Sequence, residues 1–487
     1  MQSTSSQTLW RVFSNAGSLL TSEVLNKATT FLVYALVSRW LGAESFGQLS
    51  LGLLLFYVFQ VVATAGLPTF VTRKVARHRH RTGRVVMGSL LAATLAGTVA
   101  TAAMLVCPWM LQYPRDTTLV ISVLAAGLLP YAWALVFESA FRGMEQMHWI
   151  AASNVAANVL KVAGALWMLT QGWGVLAIAA WIVMVRLTIA LTDLFFYVLA
   201  NGWLFRPVPW SYATRLLRQT STFLGIDGLI AVWSAVDAVL LSKLMTETEV
   251  GIYSAAAQLL QPMLLVYRSI VGSLFPSMCA RALGQTGEFT VLVRWMIAFL
   301  LLVGTPATVL LPLFADLILG LAYHNPQFQR AVPLMQIGAV FVLLQALTSV
   351  LGHSLWALHR ERITLRIVVV NLVANVAVGI LMISWLGMVG AALGSLLVGV
   401  LNAAQHYWVT RRLLARSPID AQSGVPLLAG LAMAAVAIAL VPLNRWLAAG
   451  GGLAVYAVAV AALLRQVHGD WSSIRMQYFV PLLGRGN

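Results

Sequence analysis

Apolar positions in this chain fall in long unbroken runs separated by short polar segments. Fourteen runs approach or exceed the roughly 20 residues that an α-helix needs to cross a bilayer. They cover 21–41, 46–67, 85–111, 118–140, 150–170, 174–200, 219–242, 250–275, 294–315, 330–356, 364–386, 388–410, 424–443 and 449–465. The apolar residues do not alternate with polar ones, as they would in the strands of a closed barrel. The pattern predicts an all-α integral membrane protein of about fourteen transmembrane helices. Pro68, Pro130, Pro262, Pro306 and Pro333 lie in or at the ends of these runs, where neighbouring helices can satisfy the freed backbone groups.

The pattern occurs twice. Phe141-Arg142-Gly143 leads into a run carrying Asn154 and Asn158, then into Gly172-Trp173-Gly174. His359-Arg360-Glu361-Arg362 leads into a run carrying Asn371 and Asn375, then into Gly387-Met388-Val389-Gly390. A second echo pairs Phe46-Gly47-Gln48-Leu49-Ser50 with Val250-Gly251-Ile252-Tyr253-Ser254. Similarity at a long, nearly fixed offset signals duplication of a large unit. An even number of spans separates the copies, so both should share one orientation about an axis along the membrane normal, with a site at their interface. The expected organisation is a six-helix lobe over 1–200, a linker over 201–218, a second six-helix lobe over 219–410, and a tail over 411–487 with two appended helices.

Composition agrees with the pattern. Of 487 residues, 60% are apolar and 9% charged, against about 25% charged in soluble domains. The net charge of +16 would suggest nucleic acid on a soluble protein, but here it lies in short loops and reports topology. With the N-terminus cytoplasmic, only Arg39, Arg115, Lys243, Arg330 and Arg445 fall in outer loops, and Lys27, Lys161, Arg186 and Arg268 fall within spans. All other basic residues are then inside, so both termini are expected to be cytoplasmic. The first run lacks a short apolar region with a small-residue cleavage site and reads as an uncleaved span. The two cysteines form no disulfide framework or metal cluster, and no cofactor is expected.

The informative residues are the ionisable ones at membrane depth, where each costs from roughly 3 to over 10 kcal/mol unless it meets water or a partner. Glu23 and Lys27 are four apart; they either pair along the helix or place Lys27 at a cavity mouth. Asn154, Asn158 and Lys161 share one helix face, so Lys161 either meets an anionic ligand or bridges to Glu138 or Asp193. Val378 stands at the matching place in the second copy, so the amides can also be glue between helices. Arg186 and Asp193, seven apart, read most simply as an ion pair. Arg268 has no acid on the adjacent turn of its helix, which favours cavity exposure. Asp193, Asp227, Asp237 and Glu138 are candidates for coupling transport to a proton or sodium ion, although pairing with Arg268 accounts equally well for Asp227 or Asp237.

Arginine offers a planar fork for phosphate oxygens, and lysine a point charge. A polar cavity lined by such cations suits a pyrophosphate or an acidic glycan. The same cations disfavour a cationic-drug antiporter, whose cavity wants acidic or aromatic lining. There is no phosphate-binding Gly-x-x-x-x-Gly-Lys-Ser/Thr loop and no His-Glu-x-x-His, which argues against a directly ATP-driven pump. The outer loops are too short for the catalytic groups of a membrane-bound glycan polymerase or transferase, and buried charge at several depths is a costly way to build a passive scaffold.

The motifs themselves are familiar. Leu41-Gly42-Ala43-Glu44-Ser45-Phe46-Gly47-Gln48-Leu49-Ser50 resembles the opening of bacterial polysaccharide flippases. Gly66-Leu67-Pro68 followed by Arg73 to Arg77, and Phe141-Arg142-Gly143 before the Asn-bearing span, are similar to the same family. It is the polysaccharide-transporter branch of the superfamily that includes the MATE-type multidrug exporters and the lipid II flippase, and the resemblance covers about 10–415. It implies a two-lobed, V-shaped bundle in a bacterial plasma (inner) membrane. It further implies translocation of a polyprenyl-pyrophosphate-linked oligosaccharide to the outer leaflet by alternating access, coupled to a proton or sodium gradient. Membrane lipids are expected partners, as are a polysaccharide polymerase and other assembly proteins; nucleic acid is not. The resemblance assigns no individual binding residue.

Overall fold

The computed structural model describes residues 2–202, 208–282, 286–414 and 416–468; the side chains at 2–23, 221–224, 226–227, 286 and 467–468 lie outside the described set. Among the described residues there is no strand. Those residues form fifteen α-helices, and eleven helical segments among them are long and apolar enough to cross a membrane.

Two expected loops are single-residue kinks. Helix α1 (Gln2–Thr64) is interrupted only at Gly42, with φ at 81°. A continuous helix of that length would extend about 95 Å, three times the hydrocarbon thickness. The chain therefore doubles back. Tyr34 and Phe46 would stand about 18 Å apart on a straight helix, yet their ring centroids are 5.3 Å apart. The glycine tolerates the left-handed backbone that the reversal needs.

Helices α2 (Leu67–Arg77), α3 (Thr82–Met110), α4 (Arg115–Ala125), α5 (Leu128–Met144), α6 (Met147–Thr170) and α7 (Val175–Asn201) follow. The expected 118–140 span is thus broken after Ala125 into α4 and α5. Helices α8 (Trp210–Leu244), α9 (Glu247–Ala282), α10 (Thr286–Leu313), the short α11 (Ala315–Tyr323) and α12 (Val332–Ala357) come next. Helix α13 (Glu361–Leu413) repeats the device of α1, with Gly387 at φ 58°. Asn371 donates to Asn402 Oδ1 at 2.8 Å, where a straight helix would separate them by about 46 Å. Helices α14 (Ala421–Leu440) and α15 (Arg445–His468) complete the described chain. Counting α1 and α13 as two crossings each, and adding α8, accommodates the fourteen runs.

The chain forms two compact units. The first contains 1–242 together with 246–251 and 323–325. Phe46, Phe56, Phe141 and Tyr197 fill its interior, each exposed by 2% or less. The second contains 243–245, 252–322 and 326–487. Its core packs Tyr267, Phe289, Trp295 and Met296 from α9 and α10 against Val342, Val350 and Leu351 of α12. The α14–α15 pair lies on α10, where the Tyr456 hydroxyl donates to Leu302 O at 2.9 Å. Large apolar side chains remain exposed on the helices, among them Trp385, Leu431, Ile438 and Val458. Surface this apolar is suited to lipid rather than water.

Candidate functional site

The first unit contains a cavity of about 600 Å³ lined from α1, α5, α6 and α7. Its size falls within the range of small-molecule sites. Its ionisable lining is lopsided: Arg142, Lys161 and Arg186 face it with one acid, Glu138.

Each charge is held differently. Lys161 on α6 donates to Asn26 Oδ1 at 3.2 Å and to Thr30 Oγ1 at 3.0 Å, both on the first arm of α1. Those partners are neutral, so no carboxylate is paired with Lys161 at the cavity. Arg186 on α7 lies over two rings, 4.2 Å from the centroid of Phe56 and 5.1 Å from that of Tyr131. Its Nε is buried with no hydrogen-bond acceptor among the described residues. Ring faces hold a guanidinium through their quadrupole without cancelling its charge.

Glu138 on α5 is the counterweight. One carboxylate oxygen meets Arg142 at 3.3 Å, one turn along the helix. The other accepts from Asn154 Nδ2 at 3.0 Å. Asn158, one turn beyond Asn154, is 4% exposed and accepts from Thr29 Oγ1 at 2.9 Å. The amide stripe read from the sequence is therefore engaged with α1 and α5, while the lysine at its end faces open space. In the second copy Asn371 and Asn375 are 0% and 2% exposed, and Asn371 bridges the two arms of α13.

The remaining sequence candidates separate. Asp193 is fully buried on α7. Neither oxygen accepts a hydrogen bond of good geometry, although the Ser153 hydroxyl and Glu138 lie nearby. It forms no ion pair with Arg186: seven residues apart on one helix, one side chain enters the packed interior and the other the cavity. The alternative of a bridge from Lys161 to Glu138 or Asp193 is not formed; Lys161 contacts Asn26 and Thr30 instead. Lys27 is exposed and does not line the cavity, and the side chain of Glu23 lies outside the described residues. Arg268 is exposed on α9, in the second unit. Asp237 is half-buried on α8 and engaged with its surroundings. The side chain of Asp227 lies outside the described residues.

Sequence reasoning placed Arg142 in an inner loop; the structure puts it on the last turn of α5, lining the cavity. The signal was its four-residue spacing from Glu138. Asn26, Thr30, Phe56 and Tyr131 gave no comparable signal, because amides, hydroxyls and aromatics are ordinary in membrane helices. No group of three or more metal-ligating side chains occurs among the described residues.

Known proteins share this architecture. The structure is similar to the lipid II flippase MurJ in an inward closed conformation, with a TM-score of 0.73 at 10% identity, over 94% of this chain and 99% of that one. It is also similar to an inward-facing MATE-family multidrug resistance transporter of the MOP superfamily, with a TM-score of 0.67 at 14% identity, over 80% and 94% of the two chains. Likeness at such identity concerns the fold alone. In sequence, 182 residues are 24% identical to a probable low-salt glycan biosynthesis flippase, Agl15, of Haloferax volcanii. That match spans 37% of this chain and 38% of the relative. The model of the polysaccharide biosynthesis protein family matches residues 12–281, more than half the chain. With its transporter-like helical fold, the chain thus belongs to the polysaccharide biosynthesis protein family.

Proposed function

We propose that this protein is a flippase that moves a polyprenyl-pyrophosphate-linked oligosaccharide from the cytoplasmic to the outer leaflet of a bacterial plasma membrane by alternating access. The observation that carries this reading is the excess of cations in the cavity, with Lys161 and Arg186 held by neutral or aromatic partners. A pyrophosphate supplies the missing negative charge, and charge-assisted hydrogen bonds to its oxygens are the strong kind. Family membership and the flippase named among its relatives support the same reading. The alternation is assigned to the two repeat halves, 1–200 and 219–410, with both termini cytoplasmic. Glu138 is assigned as the coupling carboxylate because it faces the cavity between Arg142 and Asn154, and Asp193 stands behind it as a second acid. The coupled ion is a proton, which a carboxyl at membrane depth can take up and release; sodium is the alternative outcome of the test.

The reading that the cavity exports cationic drugs is weaker, because the rings of Phe56 and Tyr131 already hold Arg186. The test is leaflet-resolved translocation in proteoliposomes carrying a polyprenyl-pyrophosphate oligosaccharide, with and without an imposed proton or sodium gradient. The expected result is protein-dependent arrival that a proton gradient accelerates and that Lys161→Ala with Arg186→Ala abolishes. No arrival by folded protein would overturn the flippase reading. Arrival at the wild-type rate in the double variant would overturn the role of the cavity cations.

A further inference from the structure

A second concavity in the first unit, of about 320 Å³, shares no lining residue with the cavity described above. It lies between the 79–83 segment, the α5–α6 turn and the end of α7. Arg79, His80, Thr82, Gln146 and Asn201 supply its polar lining, and the buried Tyr197 is also part of it.

Two observations give this hollow the chemistry of a ligand site. The first is charge. Arg79 stands at the hollow, two-thirds exposed, and its one ion-pair partner among the described residues is the equally exposed Glu145, 3.6 Å away. So loose a pair is easily exchanged for a better anion. Beside it, α2 is amphipathic, with Leu67, Val71 and Val75 buried and Arg73, Lys74 and Arg77 exposed. This is the disposition of a helix lying in a membrane interface. The second observation is an acceptor without a donor. Gln146 is half-buried in the wall of the hollow, and its Oε1 is covered and without a hydrogen-bond donor among the described residues, so a turn of the side chain into the hollow would let a ligand supply the missing donor. A ligand suited to both features carries a phosphoryl anion for Arg79 and His80 and a hydroxyl donor for Gln146. Its place beside an interfacial helix selects a lipid.

We infer that this hollow binds the headgroup of an anionic, hydroxyl-bearing phospholipid, with its phosphate against Arg79 and His80 and its hydroxyl on Gln146. The site is independent of the transport reading, since none of its residues lines the substrate cavity. It would tie the α5–α6 turn and the 79–83 segment to the lipid composition of one leaflet.

The test uses the full-length protein purified in a neutral detergent, with short-chain phosphatidylglycerol as probe, short-chain phosphatidylcholine as the zwitterionic control of zero net charge, and inorganic phosphate as the soluble alternative. Phosphatidylglycerol should bind about tenfold or more tighter than phosphatidylcholine, as expected for a charge-assisted hydrogen bond. Arg79→Ala with His80→Ala should remove that preference. Gln146→Leu, which changes no charge, should weaken phosphatidylglycerol several-fold and leave short-chain phosphatidic acid, whose headgroup carries no glycerol, unaffected. Arg73→Ala, outside the hollow, should have little effect. Three results would overturn the inference. Equal affinity for the two phospholipids removes the anion site. An Arg73→Ala loss as large as that of the Arg79 variant reduces it to a diffuse basic surface. Binding of inorganic phosphate without phosphatidylglycerol assigns the hollow to a soluble anion.

Discussion

Gly47 and Gly251, the glycines of two similar sequence motifs, pack backbone to backbone within the first unit. A Cβ on Gly47 would run into the Glu247 carbonyl, and one on Gly251 into the Ala43 carbonyl. The Glu247 carboxylate binds alongside, accepting from Gln48 Nε2 at 2.7 Å and from the Thr117 hydroxyl. The two similar glycine-bearing motifs therefore meet as one contact surface.

Gly47→Ala and Gly251→Ala should each destabilise the protein by about 1–3 kcal/mol, the usual cost of forcing atoms into a packed interface. Backbone atoms cannot move aside as a flexible side chain would. Gly174→Ala is the control, since nothing lies within 4 Å of a Cβ there. Thermal unfolding in detergent checks the set; equal midpoints for all three variants would refute the close approach.

Arg186→Gln should lower the rate of lipid-linked oligosaccharide translocation by about tenfold or more, the worth of a lost charge-assisted hydrogen bond to phosphate. Arg186→Lys should recover little, because an ammonium lacks the planar fork that lies over Phe56 and Tyr131. Phe56→Leu should produce a smaller loss, since it loosens the guanidinium without removing it. The measurement is initial rate in proteoliposomes at matched protein incorporation.

Glu138→Gln preserves size and an acceptor for Asn154 but cannot carry a proton. If Glu138 couples transport, this variant should translocate at one rate whether or not a proton gradient is imposed. Asp193→Asn should show the same insensitivity while folding normally, because a neutral amide is easier to bury than a carboxylate. Wild-type gradient dependence in both variants would remove these acids from the coupling mechanism.

Asn371→Leu should cost about 1–2 kcal/mol by leaving Asn402 buried without its donor. Asn371→Leu combined with Asn402→Leu should recover part of that loss, because no polar atom is then stranded. A double-mutant cycle on thermal stability reads the coupling, and additive losses would show that the 2.8 Å contact contributes nothing.

Asp316 on α11 accepts a hydrogen bond from Arg445 at 2.6 Å, and this contact holds its carboxyl below the ordinary aspartate range. A carboxyl with a lowered folded value stabilises the protein above the unfolded value and loses that contribution as pH falls through the folded one. The contribution should stay under about 1 kcal/mol, since the pair is exposed, and should be lost only below about pH 4. Unfolding midpoints of wild type and Asp316→Asn should therefore differ slightly at neutral pH and converge in acid.

The sequence by itself determined the all-helical membrane class and where the apolar runs begin and end. Crossing a bilayer is a local requirement: about 20 apolar residues suffice wherever they occur, and the runs report it without reference to their neighbours. Intramembrane charge is also legible one residue at a time, so Glu138, Asn154, Asn158, Lys161 and Arg186 stood out before their surroundings were known. Only the tertiary structure decided which of them share a cavity. Periodicity shows which residues lie on one face of a helix, but not how that helix is rotated against the next. Lys27 thus lies outside the cavity while Lys161, reaching across to Asn26 and Thr30, lines it. Asp193 and Arg186 part company for the same reason. The breaks at 42–45 and at 387 were legible as gaps between apolar runs; that a single glycine makes each reversal was decided only by the tertiary structure.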